Sequence, residues 1–145
     1  MEFQHSSSSA HGFVVDHPEG VALEFAEPAR RHLAIIDQSR LRRDCLKLAL
    51  GQQPRRWRVT DVPLAADLVR LVREGESFAV ILLGASTCGH IDLVDLALLA
   101  AAVPHIPILV TADCDDQERA HAILRSGARG FLPMNLSLKV LVAAL

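Results

Sequence analysis

From Arg31 onward, short apolar runs alternate with stretches whose apolar residues recur at helical spacing, a pattern that predicts strands each followed by a helix. LAIID (Leu33 to Asp37) reads as the first strand. Ser39 then caps a helical stretch, LRRDCLKLAL, that Gly51 terminates. Arg56 to Thr60 reads as a second strand, and Asp61 with Pro63 starts a second helix, AADLVRLVRE, in which Leu64, Leu68, Leu71 and Val72 share one face before Gly75. FAVILLG is the third strand, ASTCGH a loop, and IDLVDLALLAAA a third helix, apolar on most sides. IPILVTA is the fourth strand. Asp113 or Asp115 caps DQERAHAILRSG, which stops at Gly127. GFLP is a short fifth strand ahead of a helix beginning near Ser137.

Strand and helix pairs joined by short connections require parallel pairing through right-handed crossovers, because each helix carries the chain back to the same edge of the sheet. The expectation is an α/β fold: a doubly wound, five-stranded parallel sheet. Chemistry in such sheets gathers at the carboxyl ends of the strands. Asp37, Gly84, Thr111 and the turn at Pro133 and Met134 are therefore the positions of interest.

Residues 1 to 30, with QHSSSSAHG and Pro18, Gly20 and Pro28, show no sustained period and are expected to be a mobile extension, native or a tag remnant. The domain then covers residues 31 to 145. Leu145 falls inside what should be the last helix, as in a truncated chain or a piece of a longer protein.

Composition narrows the function. The chain is 50% hydrophobic but only 4% aromatic, a balance suited to aliphatic helices on a buried parallel sheet. A formal charge of −2 supplies no general field for nucleic acid or an anionic membrane. The stretch RRDCLK, with Arg55, Arg56 and Arg58, lacks an aromatic platform and reads as a solvated face rather than a nucleic-acid patch. Three widely spaced cysteines, Cys45, Cys88 and Cys114, fit reduced thiols better than a disulfide framework, and no apolar run is long enough to span a bilayer. A cytoplasmic protein is expected. Cys88, His90 and Cys114 fall on loops at one end of the sheet, yet their spacing matches no established metal pattern. Asp113, Asp115 and Asp116 read as helix-start capping residues.

LAIIDQSRLRRDCL, the strand ending at Gly84, LVTA and GARGFLPM, in this order at successive strand ends, together resemble the receiver domain of bacterial two-component response regulators of the NarL/FixJ type. The resemblance covers about residues 32 to 145 and implies a CheY-like, flavodoxin-like sheet of strand order 2-1-3-4-5. It places Asp37 on the first of two adjacent acidic positions, with Gln38 on the second. Gly84 takes the position of the phosphoacceptor aspartate, Thr111 that of the phosphoryl-sensing hydroxyl, and Met134 that of the lysine.

Phosphoryl transfer to a carboxylate needs an oxygen nucleophile, a divalent cation held by hard oxygens and a second cation for the transition-state charge. Glycine, glutamine and methionine at these positions supply none of them. The expected function is a non-enzymatic pseudo-receiver without metal or cofactor: a phosphorylation-independent regulatory and dimerisation module. The resemblance further implies a homodimer, a possible partner signalling protein, and DNA contact only through an output domain outside this chain. Asp37 also has a plain reading as a cap for nearby amides. Glycine at position 84 permits a turn and leaves a hollow for a ligand or a neighbouring side chain. Retained alternatives are a phosphoacceptor using a displaced aspartate, a small-ligand or metal sensor, and a flavodoxin-like redox protein, although DQSRL lacks a phosphate cradle for flavin.

Overall fold

The computed structural model describes residues 30–54, 57–84, 92–113 and 117–145. Five strands and five helices alternate: β1 (His32–Ile36), α1 (Arg40–Gly51), β2 (Arg58–Val62), α2 (Ala65–Arg73), β3 (Val80–Gly84), α3 (Leu93–Ala102), β4 (Ile108–Ala112), α4 (Gln117–Arg125), β5 (Gly130–Pro133) and α5 (Leu138–Ala144). All four strand pairings are parallel, as the alternation of periods predicts, in the order β2-β1-β3-β4-β5 that the family resemblance implies.

The inner strands β1, β3 and β4 are apolar on both faces because helices cover both faces. Ala34, Ile36, Ile81, Leu83, Ile108 and Val110 point into one core with Leu68 and Val69 of α2, Leu96 and Leu99 of α3 and Ile123 of α4. Leu33, Ile35, Val80 and Leu82 point into a second core with Leu50 of α1 and Leu141 of α5. The edge strand β2 is more polar and only its last residue, Val62, is buried.

Several boundaries differ from the sequence reading: β1 ends at Ile36 rather than Asp37, β3 begins at Val80 rather than Phe78, and β4 at Ile108 rather than Ile106. Strand β2 runs on through Asp61 and Val62, because the ladder with β1 pairs His32 with Arg58 and continues to Ile36 with Val62. Asp61 is therefore a strand residue, held by α1 side chains, and α2 begins after Leu64 without a side-chain cap. Helix α3 starts at Leu93, with the Asp92 carboxylate accepting from the Val94 N–H at 2.8 Å. Gly51 is the last residue of α1, whose C-cap is Gln52. Ser39 and Ser137 cap α1 and α5, and Gly75 closes α2 with a φ of 105° that favours glycine. Among the described residues no helix is long and apolar enough to cross a membrane. The expectation for residues 1–29 lies outside the described residues, as do Arg55, Arg56, Cys88, His90, Cys114, Asp115 and Asp116.

Candidate functional site at the ends of β1 and β3

The register pairs Ile36 with Leu83 and Gly84 with Thr111, so Asp37, leaving β1, lies beside the last residue of β3. Asp37 is only 4% exposed, and is the one buried charged residue among those described. A buried carboxylate needs compensating donors, and each of its oxygens has one or more. Oδ1 accepts from the Ser39 N–H at 2.7 Å and from Arg42 Nε and Nη2 at 3.2 and 3.0 Å. Oδ2 lies 2.9 Å from Arg42 Nε. The backbone of Asp37 is held as well: its N–H donates to the Val62 carbonyl at 3.2 Å, and its carbonyl accepts from Arg43 Nη1.

Helix α1 delivers both guanidiniums because Ser39 fixes where it starts, putting Arg42 and Arg43 on the first turn beside the strand end. Arg43 also reaches β2, where its Nε donates to Asp61 at 2.9 Å, and Lys47 one turn further donates to the other Asp61 oxygen at 2.8 Å. Burial alone would push the Asp61 carboxyl up, but hydrogen bonds from Lys47 and Arg43 and the charges of both hold it below the ordinary aspartate value. The reading of RRDCLK as a solvated face therefore holds only in part: Arg42, Arg43 and Lys47 engage carboxylates, and the Arg43 side chain is 12% exposed.

Gly84 is the point of closest approach. A Cβ built there would stand 2.8 Å from Cγ of Asp37 and closer still to its Oδ2. The hollow expected at this glycine is thus filled by the neighbouring carboxylate. What remains is a cavity of about 20 Å³ bordered by Asp37, Gln38, Pro63, Gly84, Asp92 and Asp95, among others. That is room for about one water molecule, which needs roughly 10–15 Å³ by this measure. Burial, with the Asp92 charge adding to it, raises the Asp95 carboxyl above the ordinary aspartate value.

Of the five residues singled out from the sequence, Asp37, Gln38 and Gly84 border one cavity, and Thr111 lies across the ladder from Gly84. Met134 follows β5, where its N–H donates to the Ala112 carbonyl at 3.3 Å, and it does not border the cavity. Sequence reasoning missed Arg42 as the counter-ion of Asp37, and Asp92 and Asp95 as cavity residues. A cation one helical turn after a strand-terminal aspartate was the available signal for Arg42. Among the described residues no group of three His, Cys, Asp or Glu side chains is placed to hold a metal ion.

No protein-family profile matches the chain, and no curated protein matches it. Solved structures do. A CheY-like response regulator receiver domain protein from Methanospirillum hungatei JF-1 is 16% identical, with a TM-score of 0.67, over 80% of this chain and 90% of its own. A two-component response regulator from Clostridium difficile is also 16% identical, with a TM-score of 0.68, over 79% of this chain and 92% of its own. The BeF3-activated DrrB receiver domain, 16% identical with a TM-score of 0.63, is covered over 93% of its length and 79% of this chain. The chain has the CheY-like receiver fold.

Proposed function

We propose that this chain is a pseudo-receiver of the NarL/FixJ type: a non-enzymatic cytoplasmic signalling module that takes no phosphoryl group and regulates through protein contact. The observation that carries this reading is the position of Asp37. Its carboxylate lies in the space that a side chain on Gly84 would need, and Arg42 neutralises it. The residues present do not fit a magnesium ion, which prefers several hard oxygens in octahedral geometry. Both Asp37 oxygens are already committed to Arg42 and one also to the Ser39 amide, Gln38 is neutral, and Gly84 contributes no side chain. Gly84 offers no nucleophile to a phosphoryl group, and the adjacent cavity of about 20 Å³ is too small to admit that group.

In place of a phosphoryl switch, a two-state module needs differential protein contacts. We infer a second copy of the chain as the first of these. The outer side of α3 favours that inference: Val94 is 75% exposed, and Leu93 and Leu98 are more than two-fifths exposed. An uncharged helix face can meet its own copy across a two-fold axis without like-charge repulsion. Contact with DNA would come through an output domain outside this chain, and a further signalling protein through the same faces.

Incubation with acetyl phosphate and magnesium, followed by intact-mass measurement, tests the reading. The expected result is an unchanged mass. A stable gain of one phosphoryl group on any aspartate, Asp92 or Asp95 included, overturns it.

A further inference from the structure

At the opposite pole of the sheet, where the strands begin, one histidine joins three segments. His32, the first residue of β1, has a side chain only 10% exposed. Its Nδ1 lies 2.9 Å from the Ser77 carbonyl oxygen, in the connection between α2 and β3, and its Nε2 lies 2.8 Å from the Thr60 hydroxyl of β2. The ring also packs on Phe78, with centroids 4.2 Å apart and the planes tilted by 41°. Main-chain bonds run beside it: the Ala79 N–H donates to the His32 carbonyl at 2.8 Å, and the Arg58 N–H to the Arg31 carbonyl at 3.0 Å.

A carbonyl can only accept, so Nδ1 carries the hydrogen and Nε2 keeps a lone pair, toward which Thr60 turns its O–H. The neutral ring satisfies both partners. A proton added at Nε2 sets a donor against a hydroxyl that is itself donating, so Thr60 must turn its hydrogen away while a charge enters a nearly buried site. Of the charged groups facing the ring, Arg58 of β2 opposes that charge. Glu76, in the connection from α2 to β3, lies 3.8 Å from Nδ1 but is shared with Arg58 at 3.6 Å. Burial, joined by the Arg58 charge, outweighs the Ser77 carbonyl and Glu76 and lowers the imidazole below its ordinary value. We propose that His32 is an acid-sensitive clasp: neutral, it fastens the start of β2 and the connection from α2 to β3 onto β1; protonated, it releases both. The release is local, since Arg43 and Lys47 hold Asp61 further along β2. It is also independent of the Asp37 site, which lies at the other ends of the strands.

The sign follows from linkage. With the native value lowered, the opened form, in which the ring meets water, binds the proton more tightly. The clasp is therefore at full strength above the ordinary imidazole value of about 6.5 and weakens as pH falls from there through the lowered native value. One proton changes the opening equilibrium by up to about tenfold per pH unit. The chain has seven histidines, so the readout must be site-specific. In the full chain, nuclear magnetic resonance should find the His32 ring titrating with a midpoint below about 6.5. Between about pH 7 and about pH 5, hydrogen exchange of the Arg58 and Ala79 amides, corrected for its chemical pH dependence, should accelerate by up to about tenfold per unit. The Arg129 amide, which donates to Ile108 of β4, should not. H32Q should abolish the acceleration. R58Q should move the His32 midpoint up and E76Q should move it down, tests that do not depend on how H32Q folds. A midpoint at or above the ordinary value overturns the proposal, as do Arg58 and Ala79 amides that fail to accelerate. Equal acceleration at Arg129, which would mean that the whole sheet loosens, or acceleration that survives in H32Q, overturns it too.

Discussion

Asp37 and Gly84 share one space: the carboxylate that leaves β1 fills the volume in which a side chain at the end of β3 would begin. Neither residue can be changed without consequence for the other, and the first prediction follows from that dependence.

G84A should destabilise the fold by about 1–3 kcal/mol, the usual cost of forcing extra volume into a packed site. In a D37A background the same substitution should cost much less, because the obstructing carboxylate is gone. Urea unfolding of the four proteins of this cycle measures the coupling. Additive costs would mean that the two residues do not compete.

Removing the counter-ion leaves the Asp37 carboxylate buried with the Ser39 backbone N–H as its remaining donor among the described residues. R42A should therefore cost about 2–4 kcal/mol, and R42K should recover only part of it, since an ammonium cannot reproduce the two-pronged contact. The midpoint of urea unfolding at constant slope is the measurement. D37N combined with R42A should be milder than R42A alone, because it buries no charge.

Asp61 titrates below the ordinary aspartate value because Lys47 and Arg43 donate to it, and these outweigh its burial. Its ionised form thus stabilises the native state at pH above the ordinary value of about 3.9. That contribution is lost as pH falls through the lowered native value. D61N should accordingly be less stable than the parent at neutral pH and converge with it in acid, as read from thermal midpoints across pH.

Asp95 carries the opposite sign. Burial and the Asp92 charge raise its carboxyl, so the native state binds its proton more tightly than the unfolded chain does. Stability from this group is full below the ordinary aspartate value and is lost as pH rises through the raised native value. D95N should be more stable than the parent at neutral pH, with the advantage vanishing in acid.

The outer face of α3 tests the proposed self-association. Val94 and Leu98 are well exposed, so V94S with L98S should change monomer stability by no more than about 0.5 kcal/mol per site. Sedimentation velocity should find the parent dimeric and the variant monomeric. A parent that remains monomeric at every concentration removes the dimer from the reading.

The sheet was legible because runs such as VILLG and ILVTA are short, apolar on both faces and followed by helical spacing, a combination that a parallel sheet between two helical layers requires. Asp37 and Gly84 were legible because strand order and strand ends locate them. Arg42 was signalled only by its place one helical turn after Asp37, and Arg43 not at all, since adjacent charges on a helix do not reveal which of them turns inward, and Arg43 finds its carboxylate on β2, eighteen positions away. Asp61 and Pro63 resemble a helix start by local preference. The ladder with β1 overrides that preference and extends the strand. Asp92 and Asp95 were hidden within an apolar helix, and only the crossover from β3 brings them next to Gln38.

Arg43 grips the carbonyl that follows β1 and the carboxylate within β2 with one side chain. A swing of α1 away from the sheet would have to strip that guanidinium from two strands at once, which ties the helix to its edge of the sheet.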